Sequence, residues 1–99
     1  MLVAILYTHC CQNNYYKVYN AQHDDFHKLK NIKNDDADDN GIYWIERNYG
    51  EVDPDVDAII GRLVFKSIHM VDYKRDEDFV QEVHSIYGDN VVCLREIVC

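Results

Sequence analysis

The chain has 99 residues, of which 18 are acidic and 10 basic, giving a formal net charge of −8. A single domain of this size can bury one core without staples, with little surplus stability. The charge disfavours direct contact with nucleic-acid phosphates or anionic membranes, which recruit basic patches, and favours cations and basic protein surfaces.

Leu2–Tyr7 is an unbroken apolar run and predicts a central strand buried on both faces. It is too short to span a bilayer and lacks the flanks of a signal peptide, so a cytoplasmic protein is expected. Cys10, Cys11, Cys93 and Cys99 form neither a C-x-x-C nor a zinc-type pairing. Free thiols in a reducing compartment follow. Successive side chains of an extended segment alternate, so Cys10 and Cys11 are expected to point to opposite sides. Tyr15–Tyr19 reads as a short strand pairing back.

Asn20 suits an N-cap for a helix over 21–33, with Phe26, Leu29 and Ile32 as its apolar stripe. Asp24 and Asp25 precede Lys28, Lys30 and Lys33, an order that complements the helix dipole. His23 and His27 share a face, the spacing at which helices hold zinc. No third ligand is evident, and they read as a polar flank.

An acidic run follows. Asp36, Asp38, Asn40 and Gly41 resemble the front half of an EF-hand calcium loop, which asks for oxygen ligands at positions one, three and five and glycine at six. Position twelve, where a bidentate Glu belongs, is Arg47. The expectation is therefore a solvated acidic turn, with weak divalent-metal binding through Asp36, Asp38 and Asn40 as the alternative.

Residues 42–47 have strand composition. Asp53-Pro54 starts a helix, with Asp as cap and Pro at the first helical position. The apolar period favours one helix from 54 to about 71; the alternative is a short helix to Gly61 followed by a strand. Arg75–Tyr87 is a second amphipathic helix, with Asp76, Glu77 and Asp78 in its first turn and Gly88 as its stop. Val91–Val98 is the last strand.

This order predicts a single α+β domain over 1–99: a three- or four-stranded sheet packed against two or three helices. If 63–72 is a strand, a ferredoxin-like βαββαβ arrangement becomes the alternative. Thr8, Ser67 and Ser85 are the only hydroxyls of their type, and no glycine-rich phosphate loop exists. Neither an enzyme nor a cofactor is expected.

The expected function is a small acidic inhibitor or interaction protein that binds a basic protein surface, with nucleic-acid charge mimicry as one form. Small viral inhibitors of nucleases and polymerases provide an analogy of size and charge. The candidate contacts are Asp35, Asp36, Asp38, Asp39, Asp53, Asp55, Asp57, Asp76, Glu77 and Asp78. The rival readings are a metal-binding module and a tyrosine-rich homodimer.

Overall fold

The computed structural model describes residues 1–36, 43–46, 53–73 and 75–98, with the backbone alone for 33–36 and 43–46. Its elements in chain order are β1 (Leu2–His9), β2 (Tyr15–Asn20), α1 (His23–Asp36), β3 (Tyr43–Glu46), α2 (Pro54–Arg62), β4 (Val64–Met70), α3 (Asp76–Tyr87) and β5 (Val91–Val98). The fold is α+β, a small mixed sheet packed against helices. The strands lie in the order β3-β5-β1-β2-β4.

β1 pairs in parallel with β5, and β5 in parallel with β3. β2 runs antiparallel to both β1 and β4. Every strand except β2 therefore points the same way. This is not the ferredoxin-like order, because β2 follows β1 directly and β4 is added at the far edge.

Alternate residues of β1 serve two cores. Val3, Ile5 and Tyr7 pack with Phe26 and Leu29 of α1, Val56 and Ile59 of α2, and Val92 and Leu94 of β5. Ala4 and Leu6 pack on the opposite face with Phe79 and Val83 of α3, Tyr16, Val18, Val91 and Cys93. Fully burying a large apolar side chain contributes about 1.5–3 kcal/mol, so this central strand anchors both layers.

Two expectations need correction. The single helix over 54–71 ends at Arg62, and 64–70 is an edge strand. Leu63 already has extended dihedrals, φ −68° and ψ 144°. Pairing with β2 decides the outcome, since it satisfies backbone groups that β2 would otherwise leave open. Asn20 does not cap α1. It pairs with both Leu2 and Val64, and the helix begins three residues later.

The helix ends test this assignment. Gly61 lies inside α2 with open space where a side chain would project, whereas Gly88 ends α3 with φ +83°. Gly61→Ala is expected to stabilise the protein by about 0.5–1 kcal/mol, and Gly88→Ala to destabilise it. Urea unfolding of the two variants reads both signs.

Candidate functional site

Strand direction decides where the carboxylates gather. α2 runs from the end of β3 back to the start of β4, and α3 from the end of β4 back to the start of β5. Because β3, β4 and β5 are parallel, both helices begin at the same end of the sheet, on opposite faces. Asp53, Asp55 and Asp57 thus share an end with Asp76, Glu77 and Asp78.

α1 brings a third group. In its first turn the buried Asp25 accepts two hydrogen bonds from Arg62 at the end of α2, at 3.1 Å from Nε and 2.8 Å from Nη2. Asn31 and Ile32 border the same groove as Asp55 and Ala58. The two helices are therefore antiparallel, and the last residues of α1, Asp35 and Asp36, lie toward the start of α2. Asp38, Asp39, Asn40, Gly41 and Arg47 fall outside the described residues.

These carboxylates are not equivalent. The Asp53 side chain accepts from the Asp55 backbone N–H at 2.9 Å and caps α2. Asp53, Asp55 and Asp57 are exposed and have no ion-pair partner among the described residues. The third cluster is largely committed to arginine. Asp76 accepts from Arg95 at 2.9 Å, Glu77 pairs with Arg75 at 2.8 Å, and Asp78 is held by Arg75 at 3.1 Å. The open negative potential therefore centres on the start of α2. Negative charge at a helix N-terminus is also favourable to the helix itself.

A second polar group was invisible to sequence reasoning. Beside β4, Ser67 Oγ lies 2.9 Å from Tyr87 Oη, and His69 Nε2 lies 2.8 Å from the same oxygen. His69 stacks on the buried Tyr16 with ring centroids 4.6 Å apart. Burial first, and the Glu82 carboxylate second, push the Tyr16 phenol well above its ordinary range. Glu82 also accepts from Tyr73. These groups bridge α3 to the edge of the sheet, and residues 18 to 20 apart in sequence give no local motif to find them by.

His23 and His27 are exposed with their Nε2 atoms 3.1 Å apart. Among the described residues no group of three metal-ligating side chains converges. No helix among them is long and apolar enough to cross a membrane. Cys93 is buried, and Cys10 and Cys11 are free and exposed with Sγ atoms 3.6 Å apart. The expected split of that pair does not occur, because residues 10–12 bend after β1 instead of continuing the strand. Comparison with protein-family models, curated proteins and solved structures finds no match to this chain.

Two measurements check this description. Arg62 hydrogen bonding, opposed by desolvation, holds the Asp25 carboxyl below its usual range. A depressed carboxyl stabilises the fold above its unfolded pKa, and that stabilisation is lost as pH falls through the folded value. Arg62→Ala should therefore lower the melting temperature at neutral pH, with the gap to wild type closing below about pH 3.9. Thiol labelling of the folded protein should modify Cys10 and Cys11 quickly, and Cys93 only after unfolding.

Proposed function

We propose that this chain is a small interaction protein whose acidic end, centred on Asp53, Asp55 and Asp57, engages a basic surface on a protein partner. The observation that carries this reading is the common end shared by the start of α2, the start of α3 and the last turn of α1. Alternate acidic positions at a helix start fall about 3 Å apart along the axis, from a rise of about 1.5 Å per residue. That is close to the ~3.4 Å axial spacing of charges along one nucleic-acid strand. A nucleic-acid-binding protein, blocked by occupation of its basic groove, is the partner class that this density suits. The scaffold also supports the role: Asp53 holds its own helix end, so the carboxylates beside it are presented with little freedom left to lose on binding.

Capture from a host lysate at low salt, with and without competing nucleic acid, tests the reading. Bound proteins should be basic and displaced by nucleic acid, and they should elute as salt rises toward about 0.1 M, where the screening length is about 10 Å. Asp55→Lys with Asp57→Lys leaves the Asp53 cap in place and should slow association more than it speeds dissociation. Asp24→Lys, at the other end of the molecule, should leave binding intact. Capture indifferent to salt and to the paired reversal would exclude the acidic end as the contact.

A further inference from the structure

Cys10 and Cys11 follow the central strand directly. Adjacent residues of an extended chain point apart, but the bend over residues 10–12 brings the two Sγ atoms to 3.6 Å. Both side chains are exposed, and with His9, Gln12 and Val98 they line one cavity of about 370 Å³.

The cavity lies where β1 and β5 end together, since His9 stands opposite Val98 in the parallel pair. Open sheets with parallel strands bind ligands beyond the carboxyl ends of those strands. It is also the end of the sheet at which α2 and α3 begin, and the carboxylates there raise the local concentration of cations. A second observation concerns His9 itself. Its backbone N–H donates to Asn14 at 3.1 Å, and its ring stacks on Tyr15 with centroids 5.4 Å apart. Its Nε2 is nevertheless buried with no hydrogen-bond partner among the described residues. Buried polar atoms without partners are uncommon in native structures and mark places where water or an ion belongs.

We propose that Cys10 and Cys11 chelate one thiophilic divalent cation of the zinc and cadmium type in this cavity. Two sulfurs 3.6 Å apart, each about 2.3 Å from a shared ion, subtend about 103° at it, close to the tetrahedral ~109°. Each thiol loses its proton and forms one sulfur–metal bond, so two protons leave and no electron moves. Thiolate sulfur selects zinc-type ions over calcium and magnesium, which prefer oxygen. No third protein ligand converges on the pair among the described residues, so water completes the coordination shell.

A disulfide is the rival fate of two close thiols. Adjacent Cα atoms across a trans peptide are about 3.8 Å apart, below the ~4.4–6.8 Å that disulfides span. Closing that bond strains the chain, whereas chelation leaves both sulfurs where they are. The inference uses the negative field at this end of the sheet but does not rest on a protein partner docking there.

Cadmium titration of the reduced full chain tests the site, read by the thiolate-to-cadmium charge-transfer absorption. One ion per chain is expected, with a Kd of about 1 µM or tighter, displaced by zinc and not by calcium. Cys10→Ser and Cys11→Ser each alter an exposed side chain, so melting of the metal-free protein should be unchanged. Each should weaken cadmium binding about tenfold or more. Cys99→Ser should leave the absorption and the affinity as they are. Bound cadmium should protect Cys10 and Cys11 together from a thiol reagent. Binding that survives either Cys10→Ser or Cys11→Ser, or that is lost in Cys99→Ser, would overturn the proposal. So would labelling of Cys10 and Cys11 at the same rate with and without cadmium.

Discussion

Eight residue pairs, from Leu2 opposite Val91 to His9 opposite Val98, join β1 to β5 in parallel, and the architecture hangs on that pairing. Parallel strands cannot be joined by a tight turn, so each return must cross a face of the sheet, usually as a helix. Helices then cover both faces, and β1 must be apolar on both sides. The run Leu2–Tyr7 meets that requirement, with Val3, Ala4, Ile5 and Leu6 all essentially inaccessible to solvent. Replacing a β1 residue with a charge would strand it between two dry layers, whichever face it took.

The same constraint organises charge. Parallel strands force α2 and α3 to start at one end, and acidic residues are favourable at helix starts. The helix dipoles and the topology together gather negative potential at that end. Arginine then sorts the carboxylates by role. Arg95 and Arg75 absorb Asp76, Glu77 and Asp78 into the structure of α3, and Arg62 takes Asp25 to lock α1 against α2. Among the described carboxylates, those at the start of α2 are exposed and unpaired. Surface ion pairs such as Arg75–Glu77 contribute about 0–1 kcal/mol each, so their main effect is to cancel field.

The sequence makes much of this legible where one physical signal dominates. β1 and β5 are apolar runs bounded by polar residues, and α3 has an acidic first turn, a clear stripe and a glycine stop; these elements lie where the pattern puts them. The region after Gly61 misleads for a specific reason. An edge strand shows only one half-buried face, and the bulge at Lys66 shifts its alternation by one residue. Strict period-two reading therefore fails, and Leu63, Val64 and Ile68 continue the helical wheel of Ile59 and Ile60 by coincidence of spacing. Asn20 misleads because cap chemistry is local, while its pairing with Leu2 and Val64 is not. Of the site, the acidic clusters are visible as composition, but their gathering at one end follows from strand direction. Their neutralisation depends on contacts such as Asp76 with Arg95, 19 residues away in the chain.

Residue-resolved hydrogen exchange by NMR, on dilute protein, tests the central claim most directly. If the parallel β1–β5 pair is the hub, amides of Val3–Tyr7 and Val92–Leu94 exchange only with global unfolding, and residues 64–70 show strand-type connectivities to Tyr15–Asn20 with protection well below that of the hub. Early exchange in β1, or helical connectivities running unbroken from Pro54 through Met70, would contradict the parallel sheet and the common acidic end derived from it.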